Sequence, residues 1–252
     1  MANIRFIHDF VSDRATLTAS TTAGSLSASN MQRNEHAAVW RSTAATATIT
    51  ATLAAAETVD SFALGGSNLT ATATITIRLF ALTKNTNPIL TINITPDTSF
   101  GSAQAWFGAT SVERVEVEIA DAGNSAGYIE ISRLCIGRRH EMAYNPKYGA
   151  ALGYTDRSKS SRAESGDMRT EHQGGSRTLA IDFDVLEQPD AEFMLGLIMR
   201  NKSLPLFVSL FPDAAGWKRA AHSFFAALSD GAKLGYPMIG MWSTGLVLEE
   251  MW

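Results

Sequence analysis

Apolar and threonine side chains alternate along several stretches in the first half of the chain. Between Ala45 and Leu53, alanine, isoleucine or leucine stands at every second position, with threonine at the positions between. Successive side chains of a β-strand point to opposite faces, so the stretch has an apolar face and a threonine face. A β-branched residue at every second position also argues against a helix. The pattern predicts a half-buried strand.

The same two-residue period returns at regular intervals, and segments rich in glycine, asparagine and proline separate the repeats. Short alternating segments divided by turn signals are typical of an antiparallel sandwich. The sequence therefore predicts that the chain is mainly β and begins with an antiparallel jelly-roll β-sandwich. The further predicted strands are Leu69–Leu79, Leu90–Ile94 and Val115–Ile119.

The alternation of apolar and polar residues shifts by one position within the segment 129–136. Ile129 and Ile131 share a face, whereas Leu134 and Ile136 fall on the opposite parity. An extra residue in one strand of a pair shifts the parity of all that follows. The segment therefore predicts a β-bulge near Ser132–Arg133.

The composition changes between Gly137 and Tyr148, where charged residues and an Asn-Pro pair gather. We expect a domain boundary there, with a sandwich over 1–140 and a small β-barrel-like domain over 141–252. Residues 154–177 are polar, and a structureless loop of that length is unusual in a compact domain. They predict a projecting hairpin arm that turns near Glu164–Gly166.

The second domain is predicted to hold several strands and one short helix. Leu179–Val185 alternates, Leu206–Phe211 is a nearly continuous apolar run, and Leu246–Trp252 has the pattern of a final strand. His222–Leu228 fits a strand or a helix. Pro189–Asn201 predicts the helix, because proline suits a first turn and apolar residues recur at helical spacing. Its buried stripe is expected to be Phe193, Met194, Leu197 and Ile198, with Arg200 and Lys202 near its carboxyl end.

Charge and cysteine content narrow the functional classes. The formal net charge is -4, whereas nucleic-acid binding relies on a concentrated positive field. Cys135 is the single cysteine and lies between leucine and isoleucine, which favours a buried thiol over a reactive one. No stretch has the length and hydrophobicity of a signal peptide core or a membrane helix. We expect no nucleic-acid partner and no membrane insertion.

No set of residues in the sequence predicts an enzyme. Glycosidases use two carboxylates, and Asp182 and Asp184 share one face of a predicted strand. Their alternation with apolar residues favours a solvated face instead. Glu249 and Glu250 are adjacent and would point to opposite faces. We expect no catalytic residue and no cofactor.

Two binding hypotheses remain open. Asp121, Asn124 and a turn at Glu57–Asp60 could supply oxygen ligands to calcium, although Asp and Asn also occur in turns for conformational reasons. We assign no metal ligand on this basis. Trp40, Trp106 and Phe107 could form a sugar-stacking platform, but large aromatic residues more often belong to a core.

Several motifs, in order, resemble a known family. They are Val39–Ser42, then Thr58–Leu69, Val115–Asp121 and Gly127–Gly137. Together they resemble the galactose-binding-like jelly roll found in tail proteins of siphophages. Later segments are similar to distal tail proteins, namely Ser161–Arg162 with Gly166–Asp167, Leu179–Leu186, Pro205–Pro212 and Leu248–Glu250.

The resemblance implies a structural component of a bacteriophage tail tip or baseplate. Such a protein would form a ring-like homo-oligomer, contact neighbouring tail proteins and reside in the virion after assembly in the host cytoplasm. The alternative is a carbohydrate-binding module involved in host-receptor adhesion. A polysaccharide-degrading enzyme is the third hypothesis, with Asp182 as the residue to test.

Overall fold

The computed structural model describes residues 2–199, 205–229 and 232–251. The protein is mainly β, with antiparallel pairing between its strands. The chain divides into two compact units. The first contains residues 1–141 with 206–224, and the second contains 142–205 with 225–252.

The described elements follow one another in this order along the chain. The strands are β1 (Arg5–Phe10), β2 (Thr16–Ala19), β3 (Trp40–Arg41), β4 (Thr46–Ser67), β5 (Thr74–Phe80), β6 (Leu90–Ile94), β7 (Ala103–Ala120), β8 (Glu130–Glu141), β9 (Ala151–Thr155), β10 (Lys159–Arg162), β11 (Met168–Glu171), β12 (Ser176–Leu186), β13 (Leu206–Ser209), β14 (Ser223–Leu228), β15 (Lys233–Met238) and β16 (Met241–Glu250). The α-helices are α1 (Gln188–Met199) and α2 (Trp217–Ala221), and short 3-10 helices span Val11–Asp13 and Ala28–Gln32.

Two long strands organise the first unit. β4 pairs with β7 along most of its length, and the register shifts between Thr52 and Glu57. The first half of β4 also pairs with β2, whereas the second half pairs with β8. β5 and β6 extend the sheet from β7, and β1 and β13 extend it from β8. The two halves of β4 therefore have different neighbours, β2 for the first and β8 for the second.

The predicted alternation appears as burial. The apolar side chains of β4 and β5 lie in one hydrophobic core, and the threonines between them point away from it. The four strands predicted in the first half are present as β4, β5, β6 and β7. β4 and β7 are much longer than predicted, whereas β5 begins at Thr74 and not at Leu69. The apolar members of the core from β4 and β5 are Ala47, Ile49, Ala51, Leu53, Val59, Phe62, Leu64, Ile75, Ile77 and Leu79.

The predicted β-bulge is wrong. β8 keeps one register with β4 on both sides of the segment, since Leu64 lies opposite Leu134 and Ser67 lies opposite Ile131. The irregularity is on the other strand, where Gly66 has a φ of +63 and its position excludes a β-carbon, which would lie 2.5 Å from the Ser132 hydroxyl. Ile131, Leu134 and Ile136 all lie in the core, so side chains of both parities are buried without an extra residue.

Two notable side chains lie inside the first unit. Arg133 is 1% exposed, and its guanidinium donates to the Asp13 carboxylate at 2.6 Å and to the Met31 carbonyl at 3.1 Å. A buried charge needs such partners, because burial without them costs several kcal/mol, roughly. Cys135 is buried as predicted, and this burial raises the pKa of its thiol well above the usual value.

Residues 206–224 were assigned to the second domain from the sequence, but they lie in the first unit. The reason is a long-range pairing, in which β13 adds to the edge of β1 with Phe6 opposite Val208. The ambiguous segment His222–Leu228 forms strand β14 over Ser223–Leu228, directly after the short helix α2.

The second unit is built around β12 and β16, which pair over most of their lengths. β9 pairs with the free edge of β12, and β15 forms a hairpin with β16. Among the described strands, no pairing joins β9 to β15. The strands predicted at Leu179–Val185 and near the end of the chain are confirmed as β12 and β16, although Trp252 lies outside the described residues.

The predicted helix and arm are both present in the second unit. In α1, Met194 and Leu197 are buried, and Phe193 and Ile198 are half-buried. Arg200 and Lys202, expected near the helix end, lie outside the described residues. β10 and β11 form a two-stranded hairpin whose side chains are all exposed. It turns at Gly166, with a φ of +87, as the sequence predicted.

Truncating a side chain on the buried face of β4 should lower the stability of the protein much more than truncating one on the outward face. Ile49→Ala should lower the free energy of unfolding by about 2–5 kcal/mol, because it opens a cavity in the core. Thr50→Ala, on the neighbouring outward face, should cost less than about 1 kcal/mol. Urea denaturation of both variants measures the difference. Equal losses would contradict the assignment of the faces.

Candidate functional site

A cleft of about 580 Å³ lies on the outer side of β5 and β6 in the first unit. Its walls come from two strand segments that are adjacent in the sheet, from the start of β7 and from the short helix α2. The lining residues are Thr74, Thr76, Asn93, Ile94, Thr95, Gln104 and Arg219.

The threonines face the cleft because of the strand alternation. Ile75 and Ile77 are buried in the core, so Thr74 and Thr76 must point to the other side of β5. β6 pairs with β5 and places Asn93 directly opposite Thr76. The Thr76 hydroxyl lies 2.9 Å from Oδ1 of Asn93. This contact leaves the amide NH₂ group of Asn93 available to a ligand.

Gln104 lines another part of the cleft. Its neighbours Ala103 and Ala105 belong to the core, so the glutamine side chain points to the outer face of β7. The residue is only 8% exposed, and its Oε1 has no hydrogen-bond partner among the described residues. Leaving a buried amide oxygen unpaired costs about 1–3 kcal/mol.

Arg219 contributes the positive charge of the cleft. It is half-buried on α2, and its guanidinium makes no hydrogen bond or ion pair to another described residue. No aspartate or glutamate lines the cleft. An arginine guanidinium carries five donors in a planar fork and stays charged at all working pH values. The cleft therefore has an unneutralised cation in a wall that is partly shielded from water.

The remaining lining residues determine which chemistry the cleft suits. Threonine hydroxyls and carboxamides can each donate and accept hydrogen bonds, as can the hydroxyl groups of a sugar. The lining includes no carboxylate, histidine or cysteine that could act as a general base or nucleophile. The arrangement suits recognition of a polyhydroxylated ligand.

The aromatic platform suggested by the sequence does not form. Trp40 is fully buried and donates from Nε1 to the Thr21 carbonyl at 3.2 Å, so its interpretation as a core residue is confirmed. Trp106 packs against Phe207 and lies 5.3 Å from the Arg5 guanidinium. Phe107 packs against the core. None of these three side chains lines the cleft.

The carboxylates considered for catalysis lie in the second unit. Asp182 and Asp184 are exposed on one face of β12, which confirms the solvated face. They line an open groove of about 350 Å³, where Asp184 pairs with Lys147 at 3.2 Å. Glu249 and Glu250 have different partners, since Glu249 pairs with Arg157 and Glu250 with Arg177.

The oxygen ligands considered for calcium do not converge. Asp121 is buried and accepts hydrogen bonds from the backbone N–H of Thr70 at 2.9 Å and from its hydroxyl at 2.5 Å. Glu57 and Asp60 are not in a turn, because both lie within β4. Glu57 binds Arg14, and Asp60 accepts from the Arg139 backbone N–H. Among the described residues, no three His, Cys, Asp or Glu side chains gather as a metal site.

Sequence reasoning missed the residues that define the cleft. The threonine face was visible in the alternation, but nothing in the local pattern separates Thr74 and Thr76 from the other outward threonines. Gln104 precedes the predicted strand at Val115–Ile119, and Arg219 lies over 100 residues further along the chain. Only the pairing of distant segments brings them together.

Comparisons with known proteins give structural neighbours but no family. No family model matches the chain, and no curated protein matches it. A chitosan-binding module from a Paenibacillus chitosanase/glucanase is 18% identical, with a TM-score of 0.42, over 52% of this chain and 98% of that one. The lectin domain of lectinolysin, complexed with Lewis B antigen, is 15% identical, with a TM-score of 0.44, over 52% and 96%.

A Streptococcus pneumoniae fucose-binding module is 10% identical, with a TM-score of 0.43, over 52% of this chain and 96% of that one. Similarity at this level does not transfer a function, so the cleft has to be judged by its own chemistry. No helix among the described residues has the length and hydropathy needed to cross a membrane.

Asp121 is expected to act as a structural residue and not as a calcium ligand. Asp121→Ala should lower the free energy of unfolding by about 1–3 kcal/mol, because the buried Thr70 donors lose their acceptor. Asp184→Ala, which removes an exposed ion pair, should cost less than about 1 kcal/mol. EDTA should leave the Tm of the wild type unchanged in thermal unfolding. A Tm raised by calcium in the wild type but not in Asp121→Ala would refute this role.

Proposed function

We propose that this protein is a non-catalytic carbohydrate-binding protein and that the cleft of the first unit holds the glycan. The observation that carries the proposal is the lining itself, which offers hydroxyl and carboxamide groups and includes Gln104, whose buried oxygen lacks a partner among the described residues. A sugar hydroxyl can donate to the hydroxyl and carboxamide oxygens of such a lining and accept from their O–H and N–H groups.

The composition of the cleft also determines which ligands it disfavours. Ile94 is the one apolar residue of the lining, so an apolar ligand would gain little from burial. Recognition by hydrogen bonds exchanged with water yields a modest net free energy for each contact. We therefore expect weak binding by a single site, in the micromolar to millimolar range, roughly.

A glycan array followed by isothermal titration calorimetry tests this function. The wild type should bind a subset of glycans, and Thr76→Val should weaken that binding by roughly fivefold or more, because it removes one hydroxyl and its contact with Asn93. Thr91→Val, on the neighbouring strand β6 but outside the cleft, serves as the matched control and should bind as the wild type does. If no glycan binds, or if both variants lose binding equally, the proposal fails.

We also propose a second candidate function, that of a self-associating structural component of a phage tail tip, located in the virion. Its support lies in the second unit, where the β15–β16 hairpin ends in exposed apolar side chains. Tyr236 is 55% exposed, Met238 59% and Ile239 94%. Exposed apolar clusters of this kind are typical of protein interfaces. A second copy of the chain is the partner we propose, with the exposed β10–β11 arm as a further contact.

Light scattering coupled to size-exclusion chromatography tests self-association. The wild type should form a defined oligomer whose mass falls on dilution, and Ile239→Ser should shift the equilibrium towards the monomer by roughly tenfold or more. Leu82→Ser removes an exposed leucine of the first unit and should leave the mass unchanged. A wild type that stays monomeric at high concentration would exclude the second candidate and leave the glycan proposal intact.

A further inference from the structure

Arg219 differs from the other arginines that are shielded from water. Every other arginine in the described part of the chain that is buried or half-buried forms an ion pair with an aspartate or glutamate. These residues are Arg5, Arg41, Arg78, Arg114, Arg133, Arg139 and Arg177. Arg219 is half-buried without such a partner.

An unpaired guanidinium in this position is unfavourable for the free protein. Partial burial removes some of its hydration, and no carboxylate of the cleft replaces it. The same surroundings strengthen its attraction for an incoming anion, because the effective dielectric constant is lower than in bulk water. A carboxylate fits, since its two oxygens match the fork of the guanidinium.

The other lining residues offer hydrogen bonds that a simple anion at Arg219 would leave unused. Thr74, Thr76 and Asn93 stand on the strands, and they offer hydroxyl and amide groups along the same cleft as the guanidinium. A cleft of about 580 Å³ accommodates more than one sugar ring. One ligand can therefore place a charged group at Arg219 and hydroxyl groups at the strand residues.

We infer that the cleft takes an acidic glycan, with the carboxylate of a uronic-type sugar held by Arg219 and its hydroxyl groups held by the residues of β5, β6 and β7. This inference rests on the proposed glycan-binding function and specifies its ligand class. Arg219 supplies charge recognition, and Gln104 and the threonines recognise the sugar ring. Binding then depends on ionic strength, since salt screens the guanidinium.

The test uses two ligands with the same sugar rings and hydroxyl groups, a trisaccharide of galacturonic acid and its methyl ester, of which only the first carries charged carboxylates. The wild type should bind the acid roughly tenfold more tightly than the ester in calorimetry at low salt, and this preference should shrink at 0.5 M sodium chloride. Arg219→Gln should bind both ligands with the affinity of the wild type for the ester. Arg219→Lys should keep part of the preference, because it retains the charge but loses the bidentate geometry.

Two controls keep the outcomes separate. Arg138→Gln removes an exposed arginine outside the cleft and should leave the preference unchanged. Inorganic phosphate at the same concentration should not displace the acid trisaccharide. Thermal unfolding verifies that each variant is folded, and the Arg219→Lys variant serves if Arg219→Gln does not fold.

Each contrary result has a distinct meaning. If the wild type binds the ester as tightly as the acid, or if Arg219→Gln keeps the preference, the inference is overturned while glycan binding stands. Displacement by phosphate would overturn it in favour of a simple anion site. If neither trisaccharide nor any arrayed glycan binds, the proposed function and the inference fail together.

Discussion

The alternation of apolar and threonine side chains along β4 and β5 is the constraint on which the rest of the first unit depends. Ile49 on β4 and Ile77 on β5 must be buried for the sandwich to have a core, because apolar burial is the main favourable term in folding. Once these positions are fixed, the intervening threonines can only point outward. The polar wall of the cleft is thus a direct consequence of how the core is made.

The polar groups of the first unit fall into two classes. Arg133 and Asp121 are buried and have partners, Asp13 and Met31 for the first and Thr70 for the second, although Nε of Arg133 makes no hydrogen bond. Such groups hold segments of the fold in place. Gln104 and Arg219 differ, because each is shielded from water and lacks a partner for its oxygen or its charge. Groups that cost stability without a structural return are expected where a ligand binds.

The second unit has a different balance of features. Its strands β12 and β16 form the best-paired part, and the polar residues near their ends are matched in ion pairs such as Arg177 with Glu250. The exposed material is concentrated in two hairpins, the polar β10–β11 arm and the apolar tip around Ile239. A unit of this kind suits contact with another protein chain, whereas the cleft of the first unit suits a small polar ligand. The two proposed functions therefore use different residues and can be tested separately.

The sequence by itself determined the local features of this protein. Two-residue periodicity identified β5, β6 and the cores of β4 and β7, helical spacing identified α1, and a glycine near position 166 identified the turn of the arm, because each depends on neighbours in the chain. Tertiary structure decided the rest. β13 joins β1 across some 200 residues, and Arg219 meets Gln104 and Thr76 only through that arrangement. Local periodicity encodes which face of a strand is buried, but not which distant segment pairs with its edge, so the cleft could not be read from the sequence.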